Sequence, residues 1–279
     1  MSRDIILMNT SNYQGSNKYS YRFPTPTSFK NCKLSLHSLS MYNSTYNISS
    51  VYNNNTFSIT WSNSVTYNIT IPDGYYSFSD LDNFLAQQMI LLGLYCTSNN
   101  GTQNVYFLRF QSNASLYKAQ IDCYYIPTAS DATTLGYTIA SNATWAFPLV
   151  RTTPQITISS GLQKLFGFLS QSSFPLATGT NNVSFLSNTY PTISPIFCYL
   201  VTCNLLGSSY NNVPTIFTQI PISKSFGSLI IVENSTEEHL PIRDGIYSDI
   251  TIQFWDQNYN VLPFNDPELT LILIIESEK

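Results

Sequence analysis

Residues 67–93, YNITIPDGYYSFSDLDNFLAQQMILLG, pass from an alternating segment through a tight turn into an amphipathic helix. Val65, Tyr67, Ile69 and Ile71 alternate with Thr66, Asn68 and Thr70, the period of two that sets one face of a strand into a core. Pro72-Asp73-Gly74 supplies the turn, because proline presets φ and glycine accepts a positive one. Ser79 and Asp82 have the spacing of a capping box with Asp in place of Glu. Leu81, Phe84, Leu85, Met89 and Leu92 form one apolar stripe and Gly93 stands at the C-cap, so the pattern predicts a helix over about 80–92. A lone helix among strands is a structural device gripped by sheets, and it carries no obvious chemistry.

Elsewhere the chain reads as β. Residues 19–23 form an aromatic strand that Pro24 and Pro26 should end. Cys32, Leu34, Leu36 and Ser38 face one way and Lys33, Ser35, His37 and Leu39 the other. Phe57, Ile59 and Trp61 mark a third strand, and residues 105–110 and 119–126 are rich in aromatic and β-branched side chains. The pattern fades over 127–154, and residues 169–195 are again polar, so both are expected as loops. Between them Ser160 caps, and Gly167 stops, a short helical turn over about 160–167. In the last third, residues 197–206 and 226–232 read as strands. Ile250, Ile252 and Phe254 alternate with Thr251, Gln253 and Trp255, and residues 256–260 turn the chain back. Pro263 fits an edge or a strand start. Residues 269–275 are apolar on both faces and belong centrally in a sheet. Eight to ten strands with long polar connections and no internal repeat predict an all-β fold. Its expected form is a single jelly-roll β-sandwich over 1–279 with a loop-rich insertion at about 127–195.

Charged residues make up 10% of the 279 positions, against roughly 25% in an average soluble domain. Asn, Ser and Thr fill about a third, joined by 20 Tyr and 17 Phe. Such a surface repels copies of itself weakly and suits wet, hydrogen-bonded contacts between subunits. An AT-rich coding sequence would also inflate Asn, Tyr, Ile and Phe, but it would inflate Lys too, which occurs only seven times. Net charge is +1 over residues 1–131, +3 over 132–232 and −8 over 233–279, which sum to −4. No Lys/Arg cluster matches a phosphate backbone, which disfavours direct nucleic-acid binding.

The first residues, MSRDIILMNTSNYQ, lack the continuous apolar core of a signal peptide. No window is long and apolar enough to span a bilayer. Cys32, Cys96, Cys123, Cys198 and Cys203 show no CxxC spacing and read as buried free thiols. The ten N-x-S/T sequons are read as a by-product of the composition.

Candidate chemistry is thin. His37 and His239 are the whole imidazole inventory, and neither has partners at zinc-ligand spacing. His239 reads as a solvated loop residue beside Glu237 and Glu238. There is no GxSxG elbow, no activated cysteine and no phosphate-binding glycine loop. Asp244, Asp249, Asp256, Asp266 and Glu268 are the carboxylates from which a glycosidase pair would come, with Trp255 to stack on a sugar. The same acids offer a Ca²⁺ site between subunits, though without an EF-hand ladder. Their plainer reading is as turn and cap residues. No catalytic, cofactor-binding or metal-binding residue is assigned, and the chain is read as a non-enzyme.

Two sets of residues carry a resemblance. One is Ile71-Pro72-Asp73-Gly74-Tyr75-Tyr76 leading into the helix at 81–92. The other runs Phe226-Gly227-Ser228-Leu229-Ile230-Ile231, His239-Leu240-Pro241-Ile242, residues 250–256 (ITIQFWD) and Leu262-Pro263-Phe264-Asn265. In order and spacing, over residues 56–92 and 158–276, they resemble the penton (minor capsid) proteins of Sputnik-like and Mavirus-like virophages and of polinton-type viruses. GLQKLFGF at 161–168 looks like the helical turn those proteins carry before their later strands. The resemblance implies an upright jelly roll that forms a homopentamer at icosahedral fivefold vertices. Its implied neighbours are major capsid protein hexamers, built of double jelly-roll trimers. It also implies residence in the virion after assembly in the host cytoplasm or virus factory. The alternative is a carbohydrate- or receptor-binding jelly roll, of spike or lectin type, using Trp255 or Trp145.

Overall fold

The computed structural model describes residues 2–98, 101–177, 179–207, 215–233, 239–262 and 264–277. The chain opens with β1 (Ser2–Asn9), β2 (Lys18–Phe29) and β3 (Cys32–Tyr42). There follow β4 (Thr56–Thr60), β5 (Thr66–Thr70), α1 (Phe78–Leu91), β6 (Cys96–Ser98), β7 (Gln103–Val105), β8 (Leu108–Asn113) and β9 (Lys118–Cys123). Next come α2 (Ala129–Leu135), β10 (Thr138–Ile139), β11 (Gln155–Ile158), α3 (Ser160–Phe166), β12 (Ser173–Phe174) and β13 (Val183–Leu186). The last third holds β14 (Cys198–Cys203), β15 (Ile216–Pro221), β16 (Leu229–Glu233), β17 (Leu240–Pro241), β18 (Gly245–Trp255) and β19 (Leu269–Ser277). The molecule is therefore mostly strand, in antiparallel sheets, with three α-helices among the described residues.

Two compact units result: Met1–Tyr46 with Ile196–Lys279, and Asn47–Pro195. The second unit is inserted between β3 and β14. Sequence reading placed an insertion at about 127–195; the structure starts the separate unit at residue 47 and so takes α1 out of the sandwich.

The first unit has two antiparallel sheets, β1-β19-β3-β16 (with β17 also on β3) and β15-β14-β18-β2. Leave aside the two-residue β17 and number this unit's strands one to eight along the chain. The sheets then read one-eight-three-six and five-four-seven-two, which is the interleaving of a jelly roll. Alternation explains the core. Ile6 and Met8, Leu34 and Leu36, Leu271, Leu273 and Ile275 from one sheet pack with Tyr199, Val201, Ile250, Ile252 and Phe254 from the other. Phe254 is fully buried, edge-on to Tyr19 at 5.9 Å and to Phe264 at 5.7 Å.

Two sequence expectations fail here for local reasons. β2 does not stop at Pro24 and Pro26 but runs to Phe29. It is an edge strand, where a missing N–H is tolerated, and its pairing with β18 breaks between Tyr247 and Asp249, opposite the prolines. In β3 the register with β19 steps from Leu36 to Ser38, passing over His37. That bulge turns Leu39 and Met41 to the core side, where they are 1% and 3% exposed, rather than to the face of Lys33. β19 lies centrally, between β1 and β3, as its apolar character predicts.

The second unit holds the sheets β12-β11-β4-β5, β13-β9-β8 and β10-β6-β7 around one core. Helix α1 buries Leu81, Leu85 and Met89. Its capping box is Ser77 with Asp80, not Ser79 with Asp82. Gly93, at φ +66°, follows the helix as expected, and an added Cβ there would meet the Ala143 backbone at 2.8 Å. Ser159 rather than Ser160 caps α3, and Gly167 ends it at φ +81°. The expected loops at 127–154 and 169–195 contain α2, β10, β12 and β13, elements too short to set up a visible period. Asn47 closes the neck of this unit. Its buried carboxamide donates to the carbonyls of Tyr76 (2.8 Å) and Ile193 (2.9 Å) and accepts from the Tyr76 N–H (2.8 Å). Start and end of the insertion are thus tied through one side chain.

Candidate functional site

An antiparallel sheet normally shows water a polar outer face. The outer face of β1-β19-β3-β16 is mixed, with exposed aliphatic side chains among its polar ones. In β1, Ile6 and Met8 point into the core while Ile5 and Leu7 point out, 69% and 53% exposed. On the opposite edge, Leu229 and Ile231 of β16 are 40% and 59% exposed, while Ile230 is buried. The register carries the face across the sheet: Leu7 lies opposite Ile272, which lies opposite Ser38, and Asn9 lies opposite Thr270, Ser40 and Ile231 in turn. The middle of the face is made of hydroxyls and Ile272; large aliphatic side chains stand toward both edges, and Glu233 of β16, opposite Ser38, puts a charge at the end of the Leu7 row. Single exposed apolar residues need no explanation; here four share one sheet face, two on each edge strand, with hydroxyls between them. Among the described residues β1 also leaves one edge unpaired, and its run Ile5-Ile6-Leu7-Met8 has no charge or proline to guard it. Charges begin only at its end, where Arg3 and His239 lie 3.8 and 3.7 Å from the Glu276 carboxylate.

Sequence reading passed over this face. Its signal was available, because residues 5–8 are continuously apolar where a half-buried strand should alternate.

Four of the five carboxylates singled out from sequence accept hydrogen bonds from the protein itself, Asp249 within strand β18 and the others at turns and connections. Asp256, 7% exposed, accepts from the Asn258 and Asn260 N–H groups at 2.7 and 2.8 Å and from the Asn260 amide at 2.9 Å. Asp249 accepts from the Thr251 and Ser248 hydroxyls. Asp244 accepts from the Asn31 N–H at 3.0 Å, and Asp266 from the Glu268 N–H at 2.9 Å. Among the described residues no group of three or more His, Cys, Asp or Glu is placed to hold a metal ion. His37 sits exposed at the β3 bulge. His239 is exposed, as expected, with its Nδ1 3.7 Å from the Glu276 carboxylate, and Glu237 and Glu238 fall outside the described residues, as does Pro263.

All five cysteines are free and buried. Burial pushes the thiols of Cys96, Cys123 and Cys203 up to about 12, which holds them protonated and unreactive. The two tryptophans of the lectin reading part company. Trp145 is 7% exposed, donates to the Gly93 carbonyl at 2.7 Å and packs on Trp61 at 5.3 Å, so it is core. Trp255 is half-buried on the outer face of the other sheet, its indole N–H donating to the Thr202 hydroxyl at 3.0 Å. No helix among the described residues is long and apolar enough to cross a membrane.

No protein-family model matches the chain, and no curated protein matches it. Among solved structures, the fold is similar to that in a crystal structure of the selenomethionine-labelled mavirus penton protein. The TM-score is 0.46 and the sequence identity 13%, over 99% of this chain and 99% of that one.

Proposed function

We propose that the protein is a structural component of a viral capsid, assembling with copies of itself into a homopentamer at the fivefold vertex. The observation that carries this reading is the outward apolar set Ile5, Leu7, Leu229 and Ile231 on a sheet of the jelly roll, beside an unguarded edge strand. A closed ring needs two different complementary patches on each subunit, one of which this face supplies. The 10% charge and the Tyr, Asn and Ser of the remaining surface favour broad contacts with little repulsion between neighbours. Hexameric major capsid proteins are the neighbours such a pentamer would meet, and the virion is where it would reside. Negative-stain images of purified protein test the reading. Class averages with fivefold rings are the expected result; isolated single subunits at tens of micromolar would overturn it.

A further inference from the structure

The outer face of β14 and β18 carries a groove of about 620 Å³, within the roughly 300–1,000 Å³ usual for small-molecule clefts. β14 and β18 are both interior strands, so their backbone groups are already paired along the ladder. No strand edge is on offer to a peptide there, and recognition has to come from side chains.

Those side chains divide into fixed walls and unspent groups. Trp255 is held by its bond to Thr202. Asn204 is clamped to β18, accepting from the Thr251 N–H at 2.8 Å and donating to the Asp249 carbonyl at 3.1 Å. The Arg243 guanidinium makes no hydrogen bond or ion pair among the described residues, and Asp244 uses only one carboxylate oxygen, on Asn31. Gln253 adds an amide whose one side-chain bond among the described residues is a long one, 3.5 Å, to the Ser16 carbonyl. The groove therefore presents an immobilised indole beside a donor fork, a carboxylate acceptor and an amide. An aromatic face takes the C–H side of a pyranose, and planar polar groups take its hydroxyls. The charges of Arg243 and Asp244 offset, while residues 233–279 carry a surplus of acids, which disfavours anionic ligands.

We propose that this groove is a binding site for a neutral saccharide, with Trp255 as the stacking platform and Arg243, Asp244 and Gln253 as hydroxyl partners. The site does not depend on the capsid reading, and ring formation, measured on the same samples, is expected to be unchanged by the substitutions below. The test is saturation-transfer NMR of the full chain with chitotriose, cellotriose and mannotriose, and with sialyllactose as the anionic arm. At least one neutral trisaccharide is expected to bind saturably. Trp255→Ala and Arg243→Ala should each weaken it about tenfold, equivalent to about 1.4 kcal/mol, while Trp255→Phe should stay within about threefold, because the stacking face remains. Arg243 is exposed, so its variant keeps the test valid if Trp255→Ala misfolds. No binding of any neutral probe, binding of sialyllactose alone, or affinity indifferent to both alanine substitutions would overturn the proposal.

Discussion

The two units solve the same problem by different means. The jelly roll relies on long ladders: β2, β3 and β18 run 12, 11 and 11 residues. Its core comes from the alternating faces of those strands. Among the described residues the inserted unit has no strand longer than six residues, and polar side chains tie its segments around its own core. Asn47 joins its first and last segments, Asp73 gathers Ser49, Ser50 and Asn55, and Asp82 binds both Arg109 and the Phe110 N–H. Long ladders leave long edges and broad faces, and it is there that the jelly roll exposes Ile5, Leu7, Leu229 and Ile231. Short strands leave loops, and the inserted unit shows its apolar side chains on them, at Leu149, Val150, Leu169 and Leu176. The same low-charge composition thus leaves exposed aliphatic side chains on a sheet face in one unit and on loops in the other.

Substitutions should separate the two modes. The largest loss is expected from Phe254→Ala in the jelly-roll core, about 3–5 kcal/mol from transfer plus cavity, read as a fall in the urea midpoint. Asn47→Ala comes next. Three bonds at about 1 kcal/mol each predict a loss near 3 kcal/mol, reported by the Trp61–Trp145 pair in a Trp255→Phe background. An Asn47→Ala variant as stable as the parent would break the claim that polar ties hold the inserted unit. Ser77→Ala, which removes the cap of α1, should cost about 1 kcal/mol, a small drop in melting temperature.

The smallest effect is one of pH. Hydrogen bonds from the Ser50 N–H and nearby hydroxyls hold the Asp73 carboxyl below its ordinary value of 3.8, and Ser77 does the same for Asp80. A carboxylate with a lowered folded pKa contributes stability above its unfolded pKa and loses it as pH falls through the folded one. The inserted unit should therefore weaken only below about pH 4, and Asp73→Asn should make that acid limb shallower in a fluorescence titration.

Much of this architecture was legible from residue order, and the reasons for the rest are local. The alternation at 250–254, the apolar run at 269–275 and the two glycine-stopped helices follow from periodicity and capping, and they stand where expected. β2 passed through its prolines because it is an edge strand, which the one-dimensional pattern does not reveal. The His37 bulge inverted the faces of β3, and one skipped residue is invisible in composition. The helix start moved by two residues because Ser77 and Ser79 are both followed at the right spacing by Asp, and Asp82 was needed by Arg109. The boundary at Asn47 has no linker, since the polar residues that fasten the neck look like the rest of an Asn-rich chain. The outer sheet face was legible in residues 5–8 as a break in alternation.

Native mass spectrometry of the parent beside an Ile5→Asp/Leu7→Asp variant tests the central claim most directly. Both residues are exposed, so the fold should lose no more than about 0.5 kcal/mol per site. The parent should fly as pentamers at low micromolar concentration and the variant as folded monomers. A parent that stays monomeric, or a variant that still forms the ring, would contradict the account.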